Sequence, residues 1–222
     1  MRALVGILHK DLLIEWRART RALSLACFSF VVLLLFSFAI GPDTAALSRQ
    51  SAAYLWMAVL LSSTLLLSAS LQIEVEAGAL ERLILTPVPP GALFYGKALA
   101  NAVQLVMISV LALGVSLILF DAPAPTELIT LVGAVVFGSA GLAAPGTLYS
   151  ALTARVPGRA LLLPLLLFPL VVPVLLASVK ATSLAMLGDP MEQSQSWLML
   201  LFCFDAVYWS LSGVLFGKVV DL

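Results

Sequence analysis

The chain alternates between long apolar runs and short breaks of charge, proline and glycine. Six runs stand out, at 22–40, 53–73, 98–120, 128–152, 160–179 and 197–216. A bilayer's hydrocarbon core takes about 20 mostly apolar residues as one helix. Backbone polar groups inside lipid have no water to bond, so runs of this kind are restricted to helices. The pattern therefore predicts an all-α, polytopic membrane protein with six transmembrane helices. Gly41-Pro42-Asp43 closes the first run as a turn. That run does not read as a cleaved signal peptide, because a helical pattern precedes it and it outlasts the usual apolar core of such a peptide.

Residues 1–21 have a different period. Leu4, Leu8, Leu12 and Trp16 recur every four residues, with Val5 and Leu13 beside them. Asp11, Glu15, Arg17, Arg19 and Arg21 fall mainly on other faces. This predicts an interfacial amphipathic helix lying on the membrane. A charged flank that is merely helical fits the same pattern.

Composition narrows the class. The 222 residues are 62% hydrophobic and 11% charged, against about 45–50% and about 25% for a soluble domain. This excludes a soluble enzyme, a disordered regulator and a disulfide-built module. Short connections leave no room for a separate catalytic domain, so 1–222 reads as a single transmembrane domain. Twelve basic and twelve acidic residues cancel, so no basic field points to nucleic acid.

The distribution of the basic residues says more than their number. Arg2, Lys10, Arg17, Arg19, Arg21, Arg82, Lys97, Arg155, Arg159 and Lys218 all fall on one side of a six-span topology. Arg49 and Lys180 fall on the other, with Asp43, Asp121, Glu127, Asp189 and Glu192. The positive-inside rule then predicts that both termini are cytoplasmic.

Catalytic chemistry is absent from the pattern. His9 is the single histidine, which excludes a multi-histidine metal site and bis-histidine haem ligation within one chain. Cys27 and Cys203 lie far apart in apolar runs, without metal or redox spacing. There is no GxSxG, no HExxH and no pair of intramembrane acids. The chain reads as a non-enzyme with no metal and no directly bound cofactor.

The most informative connection is 74–97, EVEAGALERLILTPVPPGALFYGK, the longest on the basic side. From Ala77 to Leu85 the pattern suits a short helix, with Leu80, Leu83 and Ile84 on one face and Glu81 on another. Pro87, Pro89 and Pro90 forbid its continuation. A short helix held by prolines between two spans suits a lever that presses into a cytoplasmic partner. A connector without a partner has the same pattern. Gly91 to Lys97 matches GxxxxGK, yet Ala98 stands where a phosphate loop needs Ser or Thr, and no strand precedes it. Nucleotide binding by this chain is not expected.

Inside the spans, Asp205 is the one deep acid. Such a residue faces a bundle interior or an aqueous path. It reads as a structural group facing another helix or as a proton-relay residue. Span four carries Gly133, Gly138, Gly141, Pro145 and Gly146, a composition for close helix approach. Span five carries Pro164, Pro169 and Pro173 and is expected to be bent or broken. Gly213 and Gly217 form a lone GxxxG.

These residues together resemble the CcmB family, the haem exporter protein B of bacterial cytochrome c maturation, within the ABC-2 type permeases. The connection carries much of the resemblance, through Glu74, Glu76, Gly78-Ala79-Leu80-Glu81, Leu83, Leu85, Pro87 and Gly96-Lys97. Ala144 to Leu148 with Ser150-Ala151-Leu152 is similar to the family's fourth span, and Leu162 to Pro173 to its fifth. Phe204-Asp205 and the C-terminal Leu-Phe-Gly also fit.

The resemblance implies a permease subunit of the bacterial inner membrane, present as a homodimer on two copies of a separate ATPase, CcmA. Small membrane partners CcmC and CcmD, and indirectly the haem chaperone CcmE, are implied with it. ATP and magnesium would sit on the ATPase, and haem would be the cargo or handled ligand. Glu74, Glu76, Gly78, Leu80, Glu81, Arg82, Leu83 and Pro87 would form the ATPase contact as a coupling helix. ATP hydrolysis would drive either haem export or release of the haem-loaded chaperone. A permease for a drug, glycan or lipid, and an assembly scaffold without an ATPase, are the alternatives.

Overall fold

A computed structural model describes residues 6, 7, 9, 13, 19–76, 89–153 and 159–220. Among the described residues six long helices have these bounds: α1 Arg19–Ile40, α2 Thr44–Glu76, α3 Pro90–Leu119, α4 Leu128–Thr153, α5 Arg159–Leu187 and α6 Ser194–Val220. No strand occurs among the described residues. Each helix is long and apolar enough to cross a membrane. Their outward faces are apolar too. Phe38 is 77% exposed, Ile118 87% and Ile129 88%, a surface that suits lipid and not water.

The helices are longer than the apolar runs, for reasons that hydropathy does not carry. α2 begins at Thr44 rather than near Ala53, because the Asp43 carboxylate accepts the Ala46 N–H at 3.0 Å and caps the helix start. α3 begins at Pro90 rather than near Ala98. Proline is preorganised for a first helical turn, and the Pro89 carbonyl accepts from Ala92 at 2.9 Å. The GxxxxGK stretch is therefore helix, with Lys97 buried within it. The connection between spans two and three shortens accordingly, since Glu74 and Glu76 belong to α2 and Gly91 to Lys97 belong to α3.

α5 is one continuous helix, not a broken one. A buried stripe of Leu163, Leu167, Val171, Val174, Ala177 and Ala181 runs past all three prolines without a shift of phase. Pro169 and Pro173 lie on the exposed side. The lost backbone bonds thus fall away from the packed face, which holds the helix together. α5 runs on to Leu187, where Gly188 with φ +92° ends it and donates to the Leu184 carbonyl at 2.9 Å.

α4 lies at the centre and packs against α2, α3, α5 and α6. One end of the bundle gathers the turns at 41–43, 120–127 and 188–193. There Thr126 donates to the Ala185 carbonyl at 2.9 Å, and Ser51 reaches the Met186 sulfur. The other end holds most of the basic residues. Of segment 1–18 only Gly6, Ile7, His9 and Leu13 are described, so the expected interfacial helix lies mostly outside the described residues. Ile7, off its predicted apolar stripe, is buried beside Leu93, Phe94, Ala144 and Phe216, whereas Leu13 is 41% exposed.

α6 starts at Ser194, three residues before its expected limit, because Asp189 caps it. The Asp189 carboxylate accepts the Gln193 N–H at 2.9 Å and the Ser194 N–H at 2.6 Å. Desolvation raises its pKa, but hydrogen bonds from Gln193, Ser194 and Met191 together outweigh that and set it below the ordinary carboxylate value. A lowered folded-state pKa contributes stability that is present above the unfolded pKa and lost as pH falls through the folded one. Asp189→Asn is therefore expected to be less stable than wild type at neutral pH. The gap should close as pH falls through and below the ordinary carboxylate range, as thermal unfolding of the detergent-solubilised pair will check.

Candidate functional site

The connection between α2 and α3 is held at both roots. On the α2 side, Arg21 of α1 donates to the Leu66 carbonyl at 3.0 Å, and Ser150 of α4 donates to the Leu67 carbonyl at 2.8 Å. The Leu67 side chain occupies the space that a Cβ on Gly146 would take. On the α3 side, Phe94 and Tyr95 enter an aromatic cluster with Trp209 and Phe216 of α6. The Tyr95 and Trp209 rings stack at 6.3 Å, and those of Phe94 and Phe216 meet at 5.4 Å. Gly213 receives the Tyr95 ring, and a Cβ on Gly217 would stand 3.7 Å from the Pro90 side chain. The lone GxxxG thus marks where α6 lets the root of α3 come close.

Of the predicted contact residues, Glu74 and Glu76 lie in the last turns of α2. Gly78, Leu80, Glu81, Arg82, Leu83 and Pro87 lie outside the described residues. The geometry thus defines the two anchored arms from which that segment departs.

A second set of polar groups lines the faces of α4. Asn101 donates to the Thr147 hydroxyl at 2.9 Å, and the Ser109 and Ser139 hydroxyls meet at 3.2 Å. The Trp209 indole N–H donates to the Ala140 carbonyl at 3.2 Å. Trp56 of α2 donates to the Thr182 hydroxyl of α5 at 2.9 Å. Its ring and the Ser178 hydroxyl fill the space beside Gly138. These bonds tie α4 to α3 and α6, and α2 to α5. Polar atoms have no water to bond in lipid, so they act as glue between helices. The sequence signal was present in Asn101 and in the small residues of span four, but the pairing needed the fold.

Asp205 faces this interior, as its position predicts. It is 8% exposed. Its Oδ1 lies 2.9 Å from where a Cβ on Gly141 would stand, and Val174 of α5 closes the same notch. Neither carboxyl oxygen has a hydrogen-bond partner among the described residues. The carboxyl thus faces α4, with no donor side chain bonded to it among the described residues.

Six apolar helices long enough to cross a membrane, joined by buried polar seams around a central small-residue helix, define an all-α, polytopic membrane protein of permease type. The CcmB protein family model matches residues 2–221. The heme exporter protein B of Rhodobacter capsulatus is 37% identical over 77% of this chain and 78% of its own. That of Paracoccus denitrificans is 34% identical over 84% and 85%, and that of Bradyrhizobium diazoefficiens 30% identical over 85% and 84%. The chain belongs to the CcmB family, and it is a multi-pass protein of a bacterial membrane.

The Gly138 notch is open to a stability test. Gly138→Val meets Trp56 and Ser178 at once, and overpacking of this kind costs about 1–3 kcal/mol. A lower unfolding midpoint in detergent is expected. Gly114→Ala, where a Cβ meets open space, should leave the midpoint unchanged or raise it.

Proposed function

We propose that this chain is the membrane subunit of a bacterial haem exporter, coupled to a separate ATPase of the CcmA kind. The observation that carries the reading is the family match across residues 2–221, with relatives named heme exporter protein B. The chain works as one half of a homodimer in the inner membrane, both termini cytoplasmic, beside CcmC-like and CcmD-like subunits. ATP binding closes the ATPase pair, and segment 77–90 receives that movement. The anchored roots of α2 and α3 support such a role. A push on the segment is passed to α1, α4 and α6 through Arg21, Ser150 and the Tyr95–Trp209 stack rather than absorbed in loose chain.

For the outcome of the cycle, release of a haem-loaded, CcmE-like chaperone fits better than passage of haem through this subunit. With His9 its single histidine, the chain has no pair of imidazoles for haem.

Glu81→Lys or Leu80→Asp is expected to lose ATPase copurification, or to abolish cytochrome c maturation, while membrane insertion is retained. Unchanged ATPase binding and unchanged maturation in both variants would remove the coupling assignment. A reporter fused after Leu222 should read cytoplasmic, and a signal from the opposite side would overturn the orientation.

A further inference from the structure

Asp205 lies midway along α6, eleven residues after Ser194 and thirteen before Lys218. That is the depth at which an ionised side chain is least tolerated in a bilayer. Its carboxyl is closed in by Gly141 and Val174 and receives no hydrogen bond among the described residues. Among the described residues, no charged group answers it from the helices packed on α6. α4 has no Asp, Glu, Lys, Arg or His, and its one titratable side chain is Tyr149. α5 has Arg159 at its first residue and Lys180 on its exposed side. α3 has Tyr95 and Lys97 near the opposite end of the bundle, at the level of Gly213, two turns along α6. α6 itself adds Cys203, Tyr208, which stacks on Phe204, and Lys218 at its end.

What the carboxyl does face is α4 one turn before a proline. Pro145 lies inside that helix and is buried. Proline has no N–H, so the carbonyl four residues earlier loses its helical partner. That carbonyl belongs to Gly141, the residue on which Asp205 rests. In lipid, a carbonyl freed by proline is re-satisfied by a neighbouring helix. A carboxylate has only acceptors to offer, whereas a carboxylic acid has one O–H donor. Ser178 marks the difference. Its hydroxyl lies against Gly138, whose carbonyl is still reached by the Leu142 N–H of an ordinary helical turn.

We propose that Asp205 is an intramembrane proton-binding site: the neutral acid donates its O–H to the Gly141 carbonyl and replaces the backbone bond lost at Pro145. The proton is the ligand of the site, and it clasps α6 to α4 at mid-membrane. One turn further along α6, Trp209 already donates to the adjacent carbonyl, that of Ala140, at 3.2 Å. Loss of the proton sets a carboxylate against a carbonyl, two acceptors, and opens the clasp while the Trp209 bond stays. Proton occupancy thus sets how closely α4 and α6 are held, whatever the cargo.

Two measurements on the full chain in lipid nanodiscs test this. The infrared difference between wild type and Asp205→Asn should show the band of a protonated carboxylic acid at neutral pH. A carboxylate band alone would overturn the proposal. A double-mutant cycle reads the partner. Asp205→Leu should lower the unfolding midpoint by several degrees and Asp205→Asn, whose amide N–H can still donate, much less. Pro145→Ala gives Gly141 its helical donor back, so on that background the loss from Asp205→Leu should shrink by half or more. An equal loss on both backgrounds would falsify the clasp. Should Pro145→Ala fail to fold, the frequency of the acid band reads the partner instead: a band lowered by a donated O–H is expected, and the frequency of a free acid would overturn the clasp.

Discussion

Three missing side chains on one helix set the distances in this bundle. At Gly138, Gly141 and Gly146, α4 has no Cβ, and the space is taken by Trp56 with Ser178, by Asp205 with Val174, and by Leu67. Helices in lipid gain nothing from burying apolar surface against one another, because the tails they displace are as apolar as they are. Association then rests on close packing and on hydrogen bonds across the seams. Small residues allow both, since they bring backbones near enough for short side chains such as Ser139 and Thr147 to reach a partner.

The same closeness explains how the two ends of the molecule differ. One end is tied by backbone and capping contacts in short turns, at Asp43, Thr126 and Asp189. The basic end is tied by long side chains and rings, through Arg21, Tyr95 and Trp209.

Much of the architecture was readable from the chain. Six spans follow from run length, because the bilayer filters for length and polarity alone. The helix limits did not follow, since Asp43, Pro90 and Asp189 act through capping and backbone geometry that an apolar count ignores. The three prolines of span five read as a bend or a break, and the continuous helix Arg159–Leu187 removes only the break. Asp205 was conspicuous as a lone acid, but its opposition to Gly141 and Pro145 depends on how α4 and α6 pack. The segment from Gly78 to Pro87 was legible only as a pattern and by resemblance, and its expected contact with an ATPase belongs to the proposal.

α2 carries one further consequence, in its length. Its 33 residues extend about 50 Å at the usual helical rise, whereas the hydrocarbon it crosses is about 30 Å thick. The surplus has to be taken up by tilt or by projection past the lipid headgroups. Arg21 and Ser150 grip the helix at Leu66 and Leu67, and α2 runs on for nine or ten residues beyond that grip to Glu76. A small rotation at the grip becomes a larger displacement at Glu76, and a force at Glu76 returns to the grip multiplied by the same lever ratio.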